Sequence, residues 1–218
     1  MNDFYQYLGK SKINIDPLVE YLKSSIIPLY EDKTYRNWIC SLRTKESIAH
    51  GYPPVFLDNE WKPEKGKIAF SKNFWCLPFK YTDDHAMFVV GGINFLKMFP
   101  EVFELSNVDP WYTTLKNFLD KPQIIITNGD SSLHSDVGGR SCALNTFLYN
   151  TDKSKTELWN KTEKVHEIVY NPGDAYLLNV RQRHQIKQTS NETRCVLSWG
   201  YSIPFQKAIE ILNEKSKQ

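Results

Sequence analysis

Cysteine is scarce in this chain, with four in 218 residues. Cys40, Cys76, Cys142 and Cys195 form no Cys-x-x-Cys pair and no regular spacing, which leaves little basis for a zinc knuckle or a disulfide scaffold. Buried, reduced thiols are the expectation. Long apolar runs are missing too: nothing approaches the ~18 residues that a membrane-spanning helix needs. The opening Met1-Asn2-Asp3-Phe4-Tyr5 has neither the basic nor the apolar stretch of a secretory leader. A soluble, cytoplasmic protein with no membrane partner is therefore expected. Charge of one sign is not in excess, since 27 basic residues face 25 acidic ones for a formal net charge of +2. With no basic tract interleaved with aromatics, nucleic acid is not an expected partner. There is no glycine-rich phosphate loop, and no Ser-His-Asp or Cys-His pattern with supporting context.

What the chain does have is material for a core. Hydrophobic residues make up 41% and aromatics 14%, which argues against global disorder. Two openings of the form Asp-Pro start helices, with Asp as cap and Pro at the first helical position. Asp16-Pro17 leads into Leu18, Tyr21, Leu22, Ile26 and Tyr30, with Pro28 expected to end regular helix. Asp109-Pro110 leads into Trp111, Leu115, Phe118 and Leu119, closed by Lys121-Pro122. Between them, Ile68-Ala69-Phe70 and Met87 to Val90 read as strands, Gly91-Gly92 as a turn or a close approach of backbone, and residues 50–66 as loop. From residue 123 short strands follow one another: Ile124–Thr127, Ser132–Asp136, Ser141–Tyr149, Thr156–Trp159, Val165–Tyr170, Ala175–Val180, Gln182–Lys187 and Thr193–Tyr201. Turn signals such as Asn128-Gly129-Asp130 and Asn171-Pro172-Gly173-Asp174 separate them. Many short strands with frequent turns predict a sandwich or jelly-roll barrel. Phe205, Ala208, Ile209 and Leu212 then repeat at helical spacing and predict a closing helix.

Against this background one triplet has chemical content. His134-Ser135-Asp136 places an imidazole and a carboxylate at i and i+2, on one face of a strand, where both can reach one ion. Five histidines among 25 acidic residues make a single such triplet unsurprising by chance, and a surface ion pair is the bland alternative. The triplet gains weight from His184 and Arg194. A hairpin centred on Thr189, in the turn-like Thr-Ser-Asn-Glu, would make these two cross-strand partners with Cβ atoms about 4.5–5.5 Å apart. A register shifted by one residue would separate them onto opposite faces. Two imidazoles and one carboxylate on one face of an octahedron suit non-haem iron(II), with positions left for a chelating 2-oxo acid and O₂. A guanidinium beyond the ion suits the far carboxylate of that acid. On the same strand Val196, Ser198 and Gly200 are small enough to line a cavity, while Cys195, Leu197 and Trp199 would face core.

Residues 123–201 resemble the double-stranded β-helix (jelly-roll, cupin-like) core of the Fe(II)/2-oxoglutarate-dependent dioxygenases. The matching residues are His134-x-Asp136, Pro172-Gly173-Asp174, His184 and Arg194. The ten-residue step from His184 to Arg194 is similar to that of the aspartyl/asparaginyl β-hydroxylase-like branch, which includes hydroxylases of free proline. The resemblance implies a mainly β fold with flanking helices, iron on His134, Asp136 and His184, and 2-oxoglutarate on Arg194. Asn145 and Ser198 are further candidates for contact with that cosubstrate. It also implies O₂-dependent hydroxylation of an amino acid, peptide side chain or other small polar molecule, with release of succinate and CO₂. The expected organisation is one oxygenase domain over 1–218: a helical and mixed support at 1–121, a catalytic core at 122–203 and a helix at 204–218. A cupin-like metalloenzyme that does not use 2-oxoglutarate, or a non-catalytic jelly-roll binding module, are the alternatives.

Several other residues invite a role. His50, His85 and His166 lack a carboxylate two residues on. Asp83-Asp84-His85 reads more simply as solvated loop than as a cation site. Arg140, just after Gly138-Gly139, could meet an acidic substrate at the pocket mouth or be an exposed turn residue. Trp159 could wall the pocket, though core packing is the expectation.

Overall fold

The computed structural model describes residues 3–41, 68–71, 74–91, 99–100, 110–115, 122–136, 139–150 and 153–215. Eleven strands are present among them: β1 (Tyr5–Lys10), β2 (Ile68–Ser71), β3 (Phe74–Lys80), β4 (Ala86–Gly91), β5 (Gln123–Thr127), β6 (Cys142–Tyr149), β7 (Ser154–Asn160), β8 (Glu163–Val169), β9 (Asp174–Leu178), β10 (Arg183–Gln188) and β11 (Arg194–Tyr201). They form an antiparallel eight-stranded sheet, in the order β1-β9-β6-β11-β5-β4-β3-β2, facing a three-stranded sheet, β10-β7-β8. The segment Ser131–Asp136 adds a fourth edge to the small sheet beside β10. Ser131 N–H donates to the Ile186 carbonyl, His134 and His184 exchange both backbone hydrogen bonds, and Asp136 N–H donates to Val180. From β5 onward the chain thus crosses between the two sheets at each strand, except from β7 to β8, which are neighbours in the small sheet. This is the jelly-roll, or double-stranded β-helix, and the protein is mainly β with flanking helices.

Alternation along β11 shows how the sheet divides its faces. Cys195, Leu197, Trp199 and Tyr201 point outward into the main core, where Leu18, Leu22, Ile26 and Tyr30 from the N-terminal helices, and Phe205, Ala208 and Ile209 from the closing helix, cover the sheet. Val196 points inward and packs with Ala143, Phe147, Leu158 and Tyr170 between the sheets. All four cysteines are buried and none is in a disulfide. No helix among the described residues is long and apolar enough to cross a membrane.

The N-terminal support differs from expectation in instructive ways. Helix α1 (Asp16–Tyr21) begins as predicted, but Asp16 makes no side-chain cap; its N–H instead donates to the Asn14 side chain. Pro28 does not end the helical path. A π-helical turn, Leu22–Ile26, precedes α2 (Ile27–Glu31), and the Ile27 N–H reaches back to Leu22. The wider turn accommodates a proline that can neither donate a hydrogen bond nor tolerate the carbonyl four residues earlier. Helix α3 (Lys33–Ser41) follows. Its Arg36 is buried and donates to the Tyr30 and Asp84 carbonyls, tying the helices to the β3–β4 turn. Helix α4 (Pro110–Leu115) opens at Pro110 as expected, and α5 (Phe205–Lys215) closes the chain. Phe118, Leu119, Lys121 and the expected loop over 50–66 lie outside the described residues.

Candidate metal centre

The three metal-ligand candidates meet. One donor atom from each of His134, Asp136 and His184 lies within 4.8 Å of the others. Asp136 Oδ1 is 3.6 Å from His134 Nε2 and 3.7 Å from His184 Nε2. Metal bonds of about 2.0–2.2 Å set neighbouring donors roughly 3–3.4 Å apart, so these spacings need only a slight contraction. Asp136 holds its place through its backbone, with its carbonyl accepting from Arg181.

Both imidazoles are preset for ligation. His134 Nδ1 donates to the Ser132 carbonyl at 2.7 Å and His184 Nδ1 to the Gln182 carbonyl at 2.9 Å. A carbonyl can only accept, so Nδ1 carries the proton in each ring and Nε2 presents its lone pair toward Asp136. Burial and the adjacent His134 hold His184 below the usual imidazole range, against the opposing pull of Asp136. His184 is therefore neutral near pH 7, which is the ligating form. The donor set fits a divalent ion of the iron or zinc kind better than calcium or magnesium, which prefer all-oxygen shells.

The expected strand over Ser132–Asp136 is not a full strand. It forms a single bridge at His134 because the Ser131 hydroxyl, not a backbone carbonyl, accepts the Ile186 N–H. The expected hairpin of His184 and Arg194 is also absent. His184 pairs with Leu158 of β7 in the small sheet, whereas Arg194 pairs with Thr127 of β5 in the large one. The turn around Thr189 passes the chain from one sheet to the other. Both side chains nevertheless line one cavity of about 520 Å³ between the sheets, alongside His134, Asp136, Arg140 and Asn145. That volume suits a small organic ligand.

Arg194 lies deep in this cavity. It is 3% exposed, its guanidinium sits 5.5 Å from the Phe147 ring and 5.6 Å from the Tyr170 ring, and burial lowers its pKa. Its Nε has no hydrogen-bond partner, and no carboxylate of the described residues pairs with it. Asn145 and Ser198 face each other on β6 and β11, and the Ser198 hydroxyl donates to Asn145 Oδ1 at 2.6 Å. Arg140 donates to the same Ser198 hydroxyl and approaches Asp136 Oδ2 at 3.4 Å. Arg140 is thus a cavity residue rather than an exposed turn residue. Trp159 is partly buried and is not among the described residues that line the cavity. His85 stacks on Tyr81, and His166 packs edge-on against Phe4 and Tyr5, both far from a ligating arrangement.

One wall had no warning in the sequence reading. Leu77 and Phe79 of β3 align with Val89 and Met87 of β4, and all four line the cavity. The period-two run Leu77, Phe79, Tyr81 was the available signal, masked by Pro78.

No protein-family model matches the chain, and no curated protein does. Among solved structures it is similar to AviO1 from Streptomyces viridochromogenes Tue57, at 12% identity over 91% of this chain and 90% of that one, with a TM-score of 0.45. It is also similar to a 2OG-Fe(II) oxygenase family oxidoreductase from Burkholderia pseudomallei, at 14% identity over 58% and 72%, with a TM-score of 0.43. A third likeness is to the Escherichia coli ribosomal oxygenase YcfD, at 11% identity over 52% of this chain and 31% of that one, with a TM-score of 0.37. At these identities and TM-scores the likeness assigns no residue a role.

Proposed function

We propose that this chain is an Fe(II)- and 2-oxoglutarate-dependent oxygenase that oxidises a small organic substrate. The observation that carries the reading is the pairing of two features in one cavity. Two imidazole Nε2 atoms and a carboxylate oxygen converge at one side, and a buried guanidinium that pairs with no carboxylate among the described residues stands in the same space. When bound, iron(II) with a chelating 2-oxo acid supplies O₂-dependent oxidation of a C–H bond, coupled to release of succinate and CO₂.

The protein's part is placement. His134, Asp136 and His184 would hold the ion, with the Ser132 and Gln182 carbonyls fixing the two rings. Arg194 would take the distal carboxylate of the 2-oxo acid as a planar two-pronged donor. Phe147 and Tyr170 flank that guanidinium, keep water from it and hold its plane. Asn145, held by the Ser198 hydroxyl, lines the same cavity and would bound the cosubstrate on one side.

The test is anaerobic titration of the chain with Fe(II) and then 2-oxoglutarate. The expected result is a weak visible metal-to-ligand charge-transfer band that needs both, followed by succinate release when O₂ is admitted. Metal binding with no band and no succinate would overturn the 2-oxoglutarate assignment.

A further inference from the structure

The cavity changes character along the eight-stranded sheet. Register arranges the inner face in rows that cross β11, β5, β4 and β3. One row runs Arg194, Thr127, Met87, Phe79, and the next runs Val196, Ile125, Val89, Leu77. The first row turns from polar to apolar between β5 and β4. The second is apolar throughout. Neighbouring strands lie about 4.8 Å apart, so β3 stands roughly 14 Å from β11.

The side chains at the β3–β4 end present surface to the cavity. Leu77, Phe79, Met87 and Val89 are half-buried and line it. Cys76, Phe88 and Val90, which alternate with them, are buried in the main core on the other face of the sheet. Among the described residues the small sheet ends at Ser131–Asp136, and the large sheet continues past β5 as β4, β3 and β2. The metal-ligand candidates and this apolar end share one cavity of about 520 Å³, a size that encloses drug-sized ligands. A five-carbon cosubstrate at the Arg194 end leaves the β3–β4 end for a second molecule. Partly exposed apolar surface is covered favourably by an apolar group. A polar group laid on it would give up water and gain no hydrogen bond from these four side chains.

We infer that the substrate lays a hydrocarbon or aromatic body against Leu77, Phe79, Met87 and Val89. This rests on the reading proposed above and narrows it. The substrate class is a molecule with an extended apolar part, in place of a small polar compound or a free amino acid with a short side chain. The four side chains act as specificity residues, selecting by the apolar area they cover.

The test uses the full chain loaded with Mn(II) and 2-oxoglutarate. Mn(II) is paramagnetic and broadens the proton resonances of a molecule bound beside it, so an NMR titration reads both affinity and place. The probes are the neutral primary amides from butanamide to octanamide, compared with L-asparagine and L-proline. Broadening of the amides should saturate. Affinity should rise about two- to fourfold with each added methylene, the upper figure being about 0.8 kcal/mol per buried CH₂. The two amino acids should show no saturable broadening over the same concentrations. Val89→Thr and Met87→Gln keep side-chain size and add a polar group. Each should weaken octanamide binding at least about fivefold, from the roughly 1 kcal/mol that an unpaired polar group costs when covered, and retain 2-oxoglutarate uptake. A flat amide series overturns the inference, as does L-asparagine or L-proline binding as tightly as octanamide, or unchanged octanamide affinity in both variants. Loss of 2-oxoglutarate uptake in both variants would make these side chains part of the cosubstrate's seat and also overturn it. Failure of the unmutated chain to take up 2-oxoglutarate in calorimetry sinks the parent reading as well, whereas uptake with a flat amide series sinks only this one.

Discussion

His184 and Arg194 face a single cavity from two different sheets, the first on β10 of the three-stranded sheet and the second on β11 of the eight-stranded one. Ten residues separate them in sequence, and the connection carries the chain across the sandwich. Their convergence therefore depends on the closure of the jelly-roll and not on a local hairpin register. A guanidinium held this way is costly to the apo fold. Burial lowers its pKa, and the aromatic faces of Phe147 and Tyr170 offset only part of the lost hydration.

That cost gives the first prediction. Arg194→Met keeps the volume and removes the charge. Replacing buried charges with apolar groups of similar size is often neutral or stabilising, by about 1–4 kcal/mol. The melting temperature should hold or rise, and 2-oxoglutarate binding measured by calorimetry should fall at least about tenfold, the loss of one charge-assisted contact. A lower melting temperature with unchanged 2-oxoglutarate affinity would make Arg194 a structural residue.

The metal centre should couple to stability. An ion that binds only the folded chain adds about 2.7 kcal/mol at a hundredfold excess over its dissociation constant. For a chain of this length that is a rise of roughly 5–11 °C in melting temperature. Mn(II) should produce this shift in the unmutated protein and not in Asp136→Ala or His184→Ala. The same shift in either variant would place the ion elsewhere.

Much of this arrangement was legible in the sequence, and the exceptions share a cause. The triplet His134-x-Asp136 was visible because its ligands are two residues apart. The strands from Ile124 to Tyr201 were visible because turn residues separate them, and Gly173 indeed takes φ +79°, as a Pro-Gly type II turn requires. The alternation on β11 correctly assigned Val196 to the interior and Leu197 to the core. What was not legible depends on partners far along the chain. Tyr5–Lys10 carries no strand-like run of its own, and β1 exists because β9 pairs with it across a bulge at Gly9, whose φ is +98°. The path of the chain through Pro28 depends on a π-turn that propensity does not encode. Arg140 gave no sign of its neighbours, because Ser198 and Gly200 are about sixty positions away and reach it only after the sheet closes.

Asp174 should set part of the acid stability. It is buried at the start of β9 and binds Lys10 at 2.7 Å, the Asn171 N–H at 2.9 Å and the Asn171 side chain at 3.1 Å. Burial by itself would raise its pKa, but Lys10 and Asn171 outweigh burial and hold it below the ordinary carboxylate range. A folded pKa below the unfolded one gives stability that is complete above about pH 4, the unfolded value, and is lost as pH falls through the folded value. Denaturant unfolding should therefore show Asp174→Asn less stable than the unmutated chain by about 1–3 kcal/mol at pH 7. The gap should narrow below pH 4. A gap that stays constant down to pH 2 would assign the loss to packing instead of charge.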